Sequence, residues 1–352
     1  LLLAGALPAA ACTTFCVRAG DGLVFGGNYD YAFGDGMVLV NPRGVAKTSL
    51  VERNPARWVS RYGSVTFNQY GKDSPAGGVN EKALVIEVMD LDETRYPAPD
   101  SRPAIGPLEW IQYLLDTSAN VDEALKAAKK IRIGTLAQIH FLLADRSGDA
   151  ATVEFLGGRM VVHRGDTLPD RVLANSSYED SREYLLKSAP AVGDPSKHPA
   201  PLPRGLEGSL ERFARASRLV RSLEADPAAD RVERSFEILD RVAQPGTTQW
   251  QIVYDLPRAT IHYRTAANRE RRSIALGALA FDCQSAGRML DVDTGRGDIT
   301  ASLMPYAPEA NERQMLTAFG KTTRFHMAPQ AVRAEAAQIE NRRCASREAS
   351  SG

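Results

Sequence analysis

Long apolar runs, a charge excess, clustered metal ligands and a dense cysteine set are all missing from this chain of 352 residues. Beyond residue 11 no apolar run approaches the roughly 20 residues a helix needs to cross a bilayer, so no membrane span is expected there and the mature protein reads as soluble. Lysine plus arginine balance aspartate plus glutamate at 43 each, so the charge favours neither nucleic acid nor an anionic membrane as partner. The histidines His140, His163, His198, His262 and His326 form no H-x-x-x-H pair and no Cys/His cluster, which argues against zinc. Four cysteines, Cys12, Cys16, Cys283 and Cys344, are too few for a disulfide scaffold and allow three full pairings. Cys12 and Cys16 lack the C-x-x-C spacing of a thioredoxin-type pair. No internal repeat is evident. What remains, at 43% hydrophobic and 24% charged residues, is an ordinary globular composition.

The informative part is the start. Residues 1–11, LLLAGALPAAA, form an apolar stretch closed by Ala9-Ala10-Ala11, the small-residue pattern that signal peptidase cuts after. They read as the remnant of an export signal, and the protein is expected to be periplasmic or secreted. A cut there leaves Cys12 first, its free α-amine beside its thiol. An α-amine has an ordinary pKa of about 7.7–8.0, so one residue supplies both nucleophile and base for amide hydrolysis. An arbitrary cysteine after an export signal is one alternative. A lipid anchor on Cys12 is another, although such sites favour Leu three residues earlier, where this chain has Ala9. If Cys12 is the nucleophile it stays free, leaving at most one disulfide.

Thr13, Phe15 and Val17 alternate, Gly20-Asp21-Gly22 marks a turn, and Leu23-Val24-Phe25 returns as a hairpin. Gly77-Gly78 reads as a turn ahead of Asn80-Glu81-Lys82 and a buried strand over Ala83–Met89. Helical spacing follows at Leu108, Ile111, Leu114 and Leu115, and a second helix starts near Asn120. Strands are predicted at Ile139–Ala144, Thr152–Leu156 and Met160–His163, then an exposed loop over Ser188–Gly208. Helices follow from about Leu210 to Ala243 and strands from Gln249 to about Leu279. Residues 322–352 read as a charged tail, a surface helix or disorder, behind one domain over 12–321. Asp291-Val292-Asp293-Thr294-Gly295 lacks the complete calcium-loop pattern and reads as a turn. The order of elements is α+β.

These residues resemble the choloylglycine hydrolase family, N-terminal-nucleophile amidases that include bile salt hydrolases and penicillin V acylases. The resemblance runs in register from Cys12 to about Ser285. It is carried by Cys12-Thr13, Phe25-Gly26-x-Asn28-x-Asp30, Asn80-Glu81-Lys82-x-Leu84 and Glu109-Trp110-Ile111-x-x-Leu114-Leu115. Later matches are His140-x-Leu142-x-Ala144-Asp145, Val172-Leu173-x-Asn175, Arg212-Phe213-x-Arg215-Ala216 and Tyr263-Arg264-Thr265. The start is also similar to penicillin acyltransferases, while the Asn175 and Arg212 segments favour the hydrolase branch.

The resemblance implies a four-layer αββα sandwich and hydrolysis of a linear carboxamide C–N bond through a thioester on Cys12. It implies that Asp30 holds the Cys12 amine over the thiol, and that the Asn175 side chain and the backbone N–H of Asp90 stabilise the oxyanion. Arg212 would tune the charge of the nucleophile. No metal or organic cofactor is implied; the partner is a small-molecule amide, and a homo-oligomer, a tetramer by analogy, is possible. Tyr29, Tyr31 and Phe33 are candidates for an acyl pocket, with core packing as the alternative. One departure stands out: the family has Arg where this chain has Gly27, which removes a cation that would lower the thiol pKa, with Arg18 a candidate replacement. An N-acyl transferase using the same nucleophile and an inactive ligand-binding homologue are the alternative functions.

Overall fold

The computed structural model describes residues 12–20, 22–134, 137–188, 205–285, 287–322 and 327–345. The export signal expected over 1–11, Asp21 of the expected first turn and most of the expected Ser188–Gly208 loop lie outside these residues. Seven helices are found among the described residues: α1 (Pro107–Thr117), α2 (Val121–Ala128), α3 (Tyr178–Lys187), α4 (Gly205–Glu224), α5 (Arg231–Val242), α6 (Pro308–Lys321) and α7 (Pro329–Glu340).

Two sheets form the centre. One runs in the order Val172–Leu173, Thr13–Ala19, Gly22–Asp30, Thr248–Asp255, Thr260–Thr265, Arg272–Ala275 and Gly297–Asp298. The other runs Arg159–Arg164, Ala150–Leu156, Ile139–Ala144, Val85–Asp90, Gly77–Asn80, Ser64–Asn68, Met37–Asn41, Arg288–Asp291 and Met304–Pro305. Helices α4 and α5 cover the first sheet and α1 lies on the second, giving the αββα layering. Trp250 and Tyr254 of the first sheet meet Phe67 of the second, at ring separations of 6.4 and 6.5 Å. On the outer face of the second sheet Trp110 of α1 stacks on Phe141 at 4.3 Å. Buried on both faces, the central strands are apolar almost throughout, as in Val85–Met89 and Ile139–Ala144.

The initial hairpin forms as expected, Thr13 opposite Asn28 and Ala19 opposite Gly22, so Cys12 lies at the end of the strand that faces Asp30. The Asn120 side chain caps α2 by accepting from Glu123 N–H at 2.9 Å. Two expectations are corrected. Gly77-Gly78 is not a turn but part of the strand Gly77–Asn80. A Cβ on Gly77 would fall 2.2 Å from the Glu87 carboxyl, and one on Gly78 2.5 Å from the Val65 carbonyl oxygen, so these glycines admit close neighbours. The turn comes later, with Ala83 at φ +64° and Asn80 Oδ1 accepting from Lys82 and Leu84 N–H. Asn80 Nδ2 also donates to the Leu115 and Ser118 carbonyls, tying this motif to the end of α1. The second correction concerns Gly205–Gly208, which belong to the first turn of α4 rather than to a loop.

The segment after residue 322 contains α7, whose Val332, Ala336 and Ile339 pack with Met315 of α6. Beyond it Cys344 is joined to Cys283 across 61 positions, while Cys12 and Cys16 stay free. Closing that long loop restricts the unfolded chain. Cys344→Ser is therefore expected to lower stability by about 2–4 kcal/mol, measured by urea unfolding without reductant.

Candidate active site

The end of the first strand, the end of the Val85–Asp90 strand, the loop before α3 and the first half of α4 converge around Cys12. Its side chain is 3% exposed, and its sulfur accepts a hydrogen bond from Asp30 N–H at 3.4 Å. Burial pushes the thiol pKa well above its usual value, and the charges of Asp30 and Asp90 add to this. The Asp30 N–H and the more distant Arg212 oppose it.

Asp30 is itself fully buried, and neither carboxylate oxygen meets a donor at hydrogen-bonding geometry among the described residues. Burial pushes its pKa up to about 7, against the nearby Thr248 hydroxyl and the Arg212 charge. An unsatisfied carboxyl at such a depth is costly unless a cation arrives beside it.

Asn175 is fixed at both ends of its amide. Its Nδ2 donates to the Asp90 carbonyl at 2.9 Å, and its Oδ1 accepts from an Arg212 Nη at 2.9 Å. A carbonyl only accepts and a guanidinium only donates, so the amide cannot flip without losing both bonds. Nδ2 carries two hydrogens and the Asp90 bond uses one. Arg212, 1% exposed, also donates from Nε to Thr13 Oγ1 at 3.1 Å, and its Nη1 is buried with no hydrogen-bond partner among the described residues. Ser209 and Thr248 thus join the site without any sequence motif having marked them. Ser209 Oγ accepts from Asn175 N–H at 2.8 Å.

Tyr29, Tyr31 and Phe33 form one end of an aromatic wall. Tyr29 stacks on Trp250 at 4.4 Å and lies 5.8 Å from Tyr31, which meets Phe33 at 5.2 Å. The wall continues through Tyr70 to Phe319 of α6, 5.2 Å away, two residues the sequence pattern missed because they are remote in the chain. The Tyr31 and Tyr70 hydroxyls are 2.7 Å apart, and Tyr70 reaches Thr322 Oγ1 at 2.7 Å. Tyr29 is buried, whereas Tyr31, Phe33 and Tyr70 are half-buried.

Arg18 does not replace the cation missing at Gly27. It lies six residues along an extended strand from Cys12, about 20 Å away, is exposed, and its backbone N–H binds Glu224. The cation that does act on Cys12 is Arg212. A side chain on Gly27 would start 3.4 Å from Thr14 Cγ2 and 3.8 Å from Glu87 Cγ, so the buried Glu87 takes up that space between the sheets. Among the described residues no group of three or more His, Cys, Asp or Glu is placed to hold a metal. No helix there is long and apolar enough to cross a membrane.

Two facing sheets between helical layers, with a cysteine at the head of a central hairpin, define the N-terminal-nucleophile hydrolase fold. Solved structures agree. Penicillin V acylase from Agrobacterium tumefaciens superposes with a TM-score of 0.71 at 26% identity, covering 84% of this chain and 98% of that one. A variant of conjugated bile acid hydrolase from Clostridium perfringens reaches 0.63 at 18% identity, over 81% and 98%, a likeness of fold. The sequence profile of the linear amide C-N hydrolases, choloylglycine hydrolase family, matches residues 12–186. Penicillin V acylase from Pectobacterium atrosepticum is 32% identical over 183 residues. That alignment spans 47% of this chain and about half, 47%, of the relative. The chain belongs to the choloylglycine hydrolase family.

Proposed function

We propose that the mature protein begins at Cys12 and hydrolyses the C–N bond of a linear carboxamide through a thioester on Cys12 Sγ. One observation carries this reading: the buried Cys12 thiol accepts from the Asp30 N–H, and the buried Asp30 carboxyl has no hydrogen-bond partner among the described residues, at the residue where a cut would create a cation. In a chain that continues ahead of Cys12, its nitrogen is a peptide amide and cannot act as a base. Cleavage turns it into an amine. In its protonated form that amine satisfies Asp30 and lowers both pKa values; in its neutral form it takes the thiol proton.

The thiolate attacks the amide carbonyl, and the charge that develops on oxygen is met by the second Asn175 Nδ2 hydrogen and the Asp90 backbone N–H. The α-ammonium then gives its proton to the leaving amine, and water, deprotonated by the same amine, releases the acid. Arg212 keeps Asn175 aimed and adds positive potential. The aromatic wall from Tyr29 to Phe319 suits an aryl or other apolar acyl group. Penicillin V, a phenoxyacyl amide, and the bile-acid amides are therefore the first substrates to try, followed by acyl-homoserine lactones. The export signal expected over residues 1–11 would put this chemistry outside the cytoplasm.

The test is intact-mass and N-terminal peptide analysis of the exported protein, then of the protein mixed with each amide. The expected result is Cys12 as first residue with a free amine and a transient acyl adduct on it. A lipidated Cys12, or another terminus, would overturn the mechanism. Added amines distinguish a transferase, which would pass the acyl group to them in preference to water. Asn175→Ala is expected to lower kcat about 10²–10³-fold with KM little changed, as for loss of one oxyanion donor.

A further inference from the structure

The loop that carries Asn175 is gripped at both ends by a pair of residues that the mechanism above does not use. Before Asn175, the Ala174 carbonyl accepts from His140 Nε2 at 2.7 Å. After it, Tyr178 N–H at the start of α3 donates to Glu154 Oε1 at 3.0 Å. His140 Nδ1 and Glu154 Oε1 lie 3.0 Å apart, and both side chains are fully buried. Because a carbonyl only accepts, Nε2 carries a hydrogen, and a further proton lies between Nδ1 and Oε1. The Tyr178 N–H bond places the Glu154 side chain at the N-terminus of α3.

We infer that His140 and Glu154 are a positioning pair that fixes the Ala174–Tyr178 loop and thereby aims the Asn175 amide at the developing oxyanion. The inference rests on the proposed amide hydrolysis for its kinetic meaning, and on geometry alone for its structural meaning. Ala174 and Tyr178 bracket Asn175 closely. Their carbonyl and N–H would be orphaned in a buried setting without the pair, and the loop would shift to find other partners. His140 and Glu154 come from adjacent strands inside the second sheet, so the clamp ties the Asn175 loop to two paired strands. The other end of the Asn175 amide meets the Asp90 carbonyl on the neighbouring Val85–Asp90 strand.

The experiment compares His140→Ala, Glu154→Ala and Glu154→Gln in the processed enzyme, each alone and combined with Asn175→Ala. The alanine variants are expected to lower kcat about 10–100-fold with KM within about twofold, the scale of a donor displaced by an ångström. In the Asn175→Ala background the same changes should cost less than about twofold more, because the group they position is gone. Glu154→Gln should recover most of the rate, since its amide oxygen still accepts from Tyr178 and its nitrogen donates to a neutral His140. Full multiplication of the losses in the double variants, or a KM effect without a kcat effect, would overturn the inference.

A crystal structure of His140→Ala keeps the question open to refutation even if no amide proves to be turned over. The Asn175 Nδ2–Asp90 carbonyl bond should be broken or displaced, and an undisturbed amide would sink the idea. Absence of any acyl adduct in the unmodified enzyme would instead count against the proposed function alone.

Discussion

Cys12→Ala is expected to reduce amide turnover by roughly 10⁴–10⁶-fold, the scale seen when a covalent nucleophile is removed from an enzyme whose oxyanion donors remain. The size follows from how little else at the site can attack a carbonyl. Tyr29 is buried, its hydroxyl is committed to Gln69 Oε1 at 2.7 Å, and burial raises its pKa well above the usual value. Thr13 Oγ1 is held by Arg212, and Cys16 is buried with its pKa above the usual thiol range. Cys12→Ser keeps the geometry but substitutes an alcohol, far harder to ionise than a thiol, for the activated sulfur. It should fall between the two, closer to alanine. The measurement is initial rate with the amide that labels the unmodified enzyme, paired with intact mass. Turnover that survives in Cys12→Ala, or an adduct on another residue, would place the nucleophile elsewhere.

The second large effect concerns stability rather than turnover. Glu87 lies between the sheets, 5% exposed, accepting a hydrogen bond from the Tyr254 hydroxyl, and burial pushes its pKa up to about 8. In the unfolded chain the same group titrates near 4.5. Between those values the folded state holds a proton that the unfolded state has lost, so stability falls as pH rises from about 4.5 to about 8. Above that window the folded protein carries a buried carboxylate at the full penalty. Glu87→Gln cannot ionise and keeps an oxygen for Tyr254. Relative to the unmodified protein it should gain about 3–5 kcal/mol between pH 5 and pH 9, from a shift of about 3.5 pKa units at 1.36 kcal/mol each. Urea unfolding of both proteins at the two pH values reads this double difference, in which the contribution of Asp30 cancels. An equal pH response in the two proteins would show that Glu87 is not held protonated.

Much of the site was legible because its residues sit in short, ordered segments. The hairpin from Thr13 to Asp30, the Leu173-x-Asn175 segment and Arg212 in a helix each carry a local pattern, and the fold brings all of them to Cys12. Arg18 is close to Cys12 in sequence but not in space, because an extended strand carries six residues about 20 Å away. Gly77-Gly78 misled for a related reason: glycine marks turns, but it also marks places where another chain segment comes too close for a Cβ, and only the packing of Glu87 and Val65 distinguishes the two. The C-terminal segment had few large apolar residues, yet three of them suffice to seat α7 because α6 offers Met315 and the Cys283–Cys344 bridge holds the end.

The sequence by itself determined most of the elements, the hairpin that presents Cys12 and the candidate chemistry at its head, because periodicity, turn residues and a cysteine thiol are local properties of the chain. Only the tertiary structure decided that Asp30 is left unsatisfied among the described residues, that Arg212 and the Asp90 carbonyl lock the Asn175 amide, and that Tyr70 and Phe319 extend the wall begun by Tyr29. Those are facts of burial and of contacts between residues far apart in the chain, and hydrogen bonds and dielectric surroundings exist only once the layers have closed.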